Sequence, residues 1–168
     1  MSPSKMTLAR VLKASLAALA LLLLASQGYA QRPDTPFAGL SGAWHGSGTI
    51  TMSNGASERI RCRARYTVSN QGMNLQQDLR CASDSFKFDV TSSIGYADGT
   101  IFGTWTELSR NAAGSVSGRV AGGSIQANIQ GIGFVATLVV NTRGNTQSVA
   151  IRPTGTDVSS VTITLAKG

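Results

Sequence analysis

From Glu58 to Arg80 apolar and polar residues alternate almost without a break, a period of two that marks β-strands with one dry face. Ile60, Cys62, Ala64, Tyr66 and Val68 share that face, while Arg59, Arg61, Arg63, Arg65 and Thr67 take the other. After Gln71-Gly72 the pattern resumes, with Met73, Leu75, Leu79 and Cys81 turned inward together with Gln77, and Asn74, Gln76, Asp78 and Arg80 outward. A hairpin turning at Gln71-Gly72 sets Cys62 opposite Cys81 and Tyr66 opposite Gln77. Directly opposed residues bring their Cβ atoms within disulfide range, so Cys62 and Cys81 are expected to be bonded. They do not form a Cys-x-x-Cys pair, which favours a structural bond over a redox one.

The same reading gives strands near residues 42–52, 58–69, 74–81, 86–93, 99–107, 115–121, 124–130, 133–141, 146–152 and 158–166, each rich in Val, Ile, Thr or aromatic residues. Tight turns such as Ser53-Asn54-Gly55, Ala97-Asp98-Gly99 and Arg143-Gly144-Asn145 separate them, and helical periodicity never appears. The expected fold is all-β: an antiparallel up-and-down meander of about eight to ten strands closing into a small barrel, with a β-sandwich as the alternative.

Residues 1–30 read as a cleavable signal peptide. Lys5, Arg10 and Lys13 precede an apolar run, Ala14 to Ala25, that only Ser15 interrupts, and Gly28-Tyr29-Ala30 places small residues before a cut at Gln31. The run is too short to cross a hydrocarbon core of ~30 Å, so the mature chain is not expected to span a membrane. No cysteine near the cut offers a lipid anchor. The cut leaves 138 of the 168 residues: a polar leader over 31–41 and one domain over 42–168. The expected location is periplasmic or secreted, an oxidising compartment that suits the disulfide. Three of the 15 basic residues and none of the 8 acidic ones leave with the signal, so the mature net charge is +4. Such a surface meets anionic envelope components, and the absence of RNA-binding motifs with stacked aromatics argues against nucleic acid.

Two Gly-x-Trp triplets stand out, Gly42-Ala43-Trp44 opening the first strand and Gly103-Thr104-Trp105 within the fifth. With the meander pattern, Gly42-Ala43-Trp44 resembles the lipocalin and wider calycin families, which implies an up-and-down barrel that encloses an apolar ligand. A Thr-Asp-Tyr-type second motif of lipocalins is not found. In layout the chain is also similar to the exported β-barrel protease inhibitors of Gram-negative bacteria, which share a signal peptide, one disulfide and a small barrel. The mature chain as a whole further resembles uncharacterised secreted rhizobial-type proteins, a likeness that implies no activity.

Catalytic chemistry is thinly provided. The single histidine, His45, has no Gly-x-Ser-x-Gly elbow to serve, and one His with both Cys consumed supports neither zinc nor haem. No catalytic residue, metal or cofactor is expected. Asp78 and Asp89 are placed opposite each other on adjacent strands, the arrangement of an acid/base pair, but on the wet face, where they are read as partners of Arg65 and Lys87. Glu107 shares a face with Trp105 and is the one acid turned inward, at a strand end that would free it to solvent.

Two candidate sites remain for a non-enzymatic binding protein. The interior offers Tyr66, Gln77, Trp44, Trp105 and Phe88 around a small apolar or amphipathic ligand, with Phe86, Phe102 and Phe134 as bulk and Ala64, Gly103, Gly118, Ala127 and Ala136 leaving room. Tyr66 and Gln77 would orient the ligand's polar end, or satisfy one another. The exterior offers a basic stripe of Arg59, Arg61, Arg63, Arg65, Arg80 and Lys87, suited to an anionic envelope component. Acting through it, or through the Pro-containing leader, the protein would be an envelope interaction protein or an inhibitor of a protease or lysozyme. Arg63 facing Arg80 is unfavourable unless an anion or an acid bridges the pair.

Overall fold

The structure, a computed structural model, describes residues 35–168. The expected signal peptide, its cut before Gln31 and the first part of the leader lie outside the described residues. Ten strands follow in chain order: β1 (Gly42–Met52), β2 (Ser57–Ser69), β3 (Asn74–Ala82), β4 (Lys87–Ala97), β5 (Thr100–Glu107), β6 (Ala112–Ala121), β7 (Ser124–Gly131), β8 (Phe134–Arg143), β9 (Thr146–Thr154) and β10 (Val158–Lys167). Each pairs antiparallel with the next, and β10 pairs back with β1, so the meander closes into a barrel and not a sandwich. Closure leaves no strand edge open to another chain.

All ten expected strands are present, and two of them run three or more residues beyond the sequence pattern. β4 runs on through Ile94, Gly95, Tyr96 and Ala97, and β6 starts early at Ala112-Ala113-Gly114. Gly95 and Ala97 in β4, and Ala112, Ala113 and Gly114 in β6, are weak strand formers that interrupt the propensity signal there. Pairing decides instead: Gly95 lies opposite Phe102, and Ala112 to Gly114 lie opposite Glu107 to Trp105. The β4–β5 connection is a two-residue turn in which Asp98 and Gly99 both have positive φ, 48° and 79°, as a twist-matched hairpin requires.

The β2–β3 register is the one the alternation implies, with Cys62 opposite Cys81, Arg63 opposite Arg80 and Tyr66 opposite Gln77. The Cys62–Cys81 disulfide forms between Cα atoms 4.1 Å apart. At the seam where the barrel closes, a Cβ on Gly46 would lie 1.9 Å from the Thr164 carbonyl oxygen and one on Gly48 2.0 Å from that of Thr162. Only glycine lets β1 approach β10 so closely.

The last residues of the leader are not a polar tail. Phe37 and Leu40 are buried, at 0% and 4% exposure, and cap the end of the barrel at which β1 begins. The Phe37 amide donates to the Gly72 carbonyl at 3.2 Å, and the Leu40 carbonyl accepts from the Trp44 indole at 2.8 Å. Burial of Phe37 is worth about 1.5–3 kcal/mol, which explains why the segment docks.

Candidate functional site

The interior is unevenly filled. At the capped end Trp44, Tyr66, Leu75, Tyr96, Gln147 and Leu165 are buried against Phe37 and Leu40. The Tyr66 hydroxyl donates to Gln147 Oε1 at 2.7 Å, and Gln147 Nε2 donates to Thr142 Oγ1 at 3.1 Å. Burial pushes the Tyr66 phenol up to about 12, against the smaller opposing effect of the Gln147 bond. Trp44 meets Tyr66 edge-on with ring centroids 6.0 Å apart, and Lys167 Nζ lies 5.8 Å from its ring. Trp105, two residues from the far end of β5, donates to the Gln130 carbonyl at 3.1 Å and packs on Phe134 at 5.7 Å. The two tryptophans therefore plug opposite ends and do not line one site.

Between the plugs the wall is apolar and incompletely covered. Leu79, Val90, Ile129, Leu138, Val149 and Val161 face inward by alternation yet are only partly buried. Ile50, Ile60 and Leu165, also inward, are 0%, 1% and 1% exposed. The six pack against the buried core cluster but keep more exposed surface than their inward neighbours Cys62, Cys81 and Ile163, at 2%, 3% and 5%. Ten strands also enclose a wider lumen than the eight that side chains can just fill.

One polar group stands on this wall. Gln77 and Ser92 are cross-strand neighbours, and the Ser92 hydroxyl donates to Gln77 Oε1 at 3.2 Å. Gln77 Nε2 donates to no group among the described residues, and no buried side-chain nitrogen or oxygen there lacks a partner, so this inward amide nitrogen keeps some accessible surface. Tyr66 and Gln77 stand opposite each other as expected but do not satisfy one another: Tyr66 turns to Gln147 and Gln77 to Ser92. Phe88 lies toward the far end, stacked on Phe86 with centroids 6.3 Å apart and with the Arg110 guanidinium 5.0 Å from its ring. Phe102 does not add bulk inside. Its neighbours Ile101 and Gly103 hold the inward positions, so it points out over Gly95, 55% exposed.

Outside, Arg59, Arg61, Arg63, Arg65, Arg80 and Lys87 are all exposed on one face of β2 to β4. Asp78 and Asp89 do not form a pair: Asp78 faces Thr91, and Asp89 faces Arg80. The Arg80 Nε–Asp89 Oδ2 ion pair of 3.2 Å, and not a Lys87 contact, takes up Asp89. Asp78 shares the register of Arg65, but no ion pair joins them among the described residues. A hollow of about 550 Å³ lies on this face, lined by His45, Arg61, Arg63, Arg80, Ala82 and Lys87 at outward positions and by Gly46, Cys62, Cys81 and Phe88 between them.

Glu107 is inward and buried at 5% exposure, and the strand end does not free it. It accepts hydrogen bonds from the Asp89 amide at 3.0 Å, the Arg110 amide at 2.6 Å and the Ser109 hydroxyl. Burial alone would raise its pKa, but these donors outweigh it and hold the carboxyl below the usual range. Glu107 ties the β5–β6 loop to β4, and the Arg110 guanidinium lies 3.8 Å from its carboxylate. No cluster of three His, Cys, Asp or Glu suited to a metal occurs among the described residues. Gln147 and Ser92 are the buried polar residues of the interior that sequence reasoning misses. Gln147 was legible in principle, since it shares the inward parity of Val149 and Ile151 on β9.

No family model matches the chain, and no curated protein matches it by sequence. In fold it is similar to the crystal structure of Rv2717c from M. tuberculosis, with a TM-score of 0.56 at 11% identity, covering 78% of this chain and 94% of that one. At this identity the likeness is one of fold alone, a small closed barrel.

Proposed function

We propose that the protein is an exported, non-enzymatic binding barrel that holds a small apolar or amphipathic ligand in its lumen. The observation that carries this reading is the band of inward, partly buried aliphatic residues, Leu79, Val90, Ile129, Leu138, Val149 and Val161, between two well-packed ends. Apolar wall left in contact with water is a standing driving force of ~25 cal/mol per Å² for whatever covers it. Gln77 Nε2 gives the ligand one donor to meet, so the preferred ligand carries an acceptor, such as a carbonyl or ether oxygen, on an otherwise apolar body. The resemblance of Gly42-Ala43-Trp44 and the meander to ligand-carrying lipocalins and calycins points the same way. The Cys62–Cys81 disulfide is compatible with the oxidising compartment that export would supply.

The test is an equilibrium titration of the oxidised, signal-free protein with the neutral fluorophore N-phenylnaphthylamine, whose lack of charge makes it blind to the basic outer face. Saturable binding in a one-to-one ratio, weakened by Leu138→Gln, is expected. A flat titration with the wild-type protein, together with no co-purifying small molecule by native mass spectrometry, rejects the lumen as a site.

A further inference from the structure

The outer face of β1 to β4 carries a cation-lined depression that the lumen reading does not use. Two rows of outward residues cross it in register. One runs His45, Arg63, Arg80, Asp89, and the next Ser47, Arg61, Ala82, Lys87. Ala82 is the small residue in this field. Arg61 flanks it on β2, Lys87 on β4 and Arg80 along its own strand, with Arg63 on the diagonal. The short methyl leaves the hollow of about 550 Å³ between the longer side chains.

The cations differ in what already occupies them. Arg59 donates to Ser47 Oγ at 3.2 Å, and Arg80 is shared with Asp89. Arg61, Arg63 and Lys87 have side chains with no hydrogen-bond or ion-pair partner among the described residues. Arg63 also stands directly between Arg80 and His45. Like charges opposed on a sheet surface repel, and among the described residues Asp89 is the carboxylate ion-paired to this row, through Arg80, while Asp78 stands on the same face opposite Arg65. A multivalent oxyanion seated over Ala82 would relieve that repulsion and receive charge-assisted bonds from two guanidinium groups and an ammonium.

We propose that the hollow around Ala82 is a binding site for a phosphate group, held by Arg61, Arg63 and Lys87 with Arg80 at its edge. A phosphate monoester suits it better than a carboxylate because three free cations converge on the space and a dianion answers more of them. The group can arrive as inorganic phosphate or as the monoester headgroup of a lipid such as phosphatidic acid, and the two are separable by experiment.

The oxidised, signal-free protein is titrated with inorganic phosphate against chloride at matched ionic strength, following backbone amide shifts. In parallel it is sedimented with phosphatidic acid vesicles, using phosphatidylcholine vesicles as the blank. Shifts at residues 61–63 and 80–88 with inorganic phosphate identify the free anion as sufficient. Sedimentation with phosphatidic acid alone identifies the lipid-borne group. In either arm the double variant Arg61→Gln, Arg63→Gln is expected to weaken binding by about tenfold or more, since each lost charged bond is worth about a decade. Ala82→Glu, which fills the hollow with a carboxylate, should abolish it. Arg119→Gln, Arg152→Gln removes the same charge from exposed sites on β6 and β9 and should leave binding within about twofold, an effect of ordinary screening. No phosphate-specific response in either arm overturns the site, as does equal weakening by the two double variants, which would reduce the effect to net charge.

Discussion

The Tyr66 hydroxyl and Gln147 Oε1, 2.7 Å apart, join β2 to β9 across the inside of the barrel, although two other strands separate them in the sheet. Both residues are buried, so each would be costly alone. Tyr66→Phe leaves Gln147 Oε1 without its donor and should destabilise the protein by about 1–3 kcal/mol in urea unfolding. The phenol also sets a pH dependence. Its pKa is raised in the folded state to about 12 from 10.0, so its contribution is complete below pH 10.0 and is lost as pH rises through about 12. The wild-type melting temperature should therefore fall above that lower limit. If Tyr66→Phe shows an equally steep alkaline fall, the phenol is not its source.

What the sequence made legible was the parity of each strand, because one dry face imposes a period of two that survives without any tertiary information. Parity and one turn were enough to oppose Cys62 to Cys81 and Arg63 to Arg80. Asp89 illustrates the limit. The β3–β4 loop at residues 83–86 sets the offset of β4, and neither its length nor its Ser83–Phe86 hydrogen bond can be read from composition, so alternation alone sets Asp89 against Asp78 whereas it lies against Arg80. The partners of buried polar groups were illegible for a related reason. Tyr66 reaches Gln147 across the lumen, a contact that depends on barrel closure and not on any strand pair.

Glu107 should make the protein acid-sensitive in a defined window. Burial raises its pKa, but hydrogen bonds from Ser109 and from the Asp89 and Arg110 amides lower it further, to below the ordinary value of 4.5. A depressed carboxyl stabilises the fold above its unfolded pKa and loses that contribution as pH falls through the folded value. Glu107→Gln keeps a carbonyl acceptor but not the charge, and should cost about 1–3 kcal/mol at neutral pH. The difference from wild type should shrink as pH drops below 4.5. A gap in melting temperature that stays constant from neutral pH to acid would show that packing, and not charge, is what the substitution removes.

Cys62 and Cys81 are separated by 19 positions, a loop whose closure is worth roughly 3 kcal/mol in the chain-entropy model. The bond links opposed residues of one hairpin, so an unfolded chain that retains the hairpin gives back part of this. Cys62→Ala, Cys81→Ala should lower the urea midpoint with folding preserved, and thiol titration of denatured, unreduced wild-type protein should find no free thiol. Two free thiols in material recovered from an oxidising compartment would count against the bond.

Val149 offers the sharpest test of whether the lumen is open. It lies at the middle of β9, inward and only partly buried, between Val140 of β8 and Ile163 of β10. In a packed barrel Val149→Trp is an overpacking substitution and should cost about 1–3 kcal/mol or more as neighbours are forced off their rotamers. In an open lumen the indole enters space that water occupies, covers Leu138 and Val161, and should leave the urea midpoint unchanged or raised. The same variant then occupies the volume a ligand would need, so binding of N-phenylnaphthylamine should be lost while the protein remains folded. Stability and binding thus move in opposite senses under the lumen reading, a combination that simple unfolding cannot imitate. A large stability loss with no wild-type probe binding would show that the partly buried aliphatic band is loosely packed core, and would leave the outer face around Ala82 as the remaining candidate site.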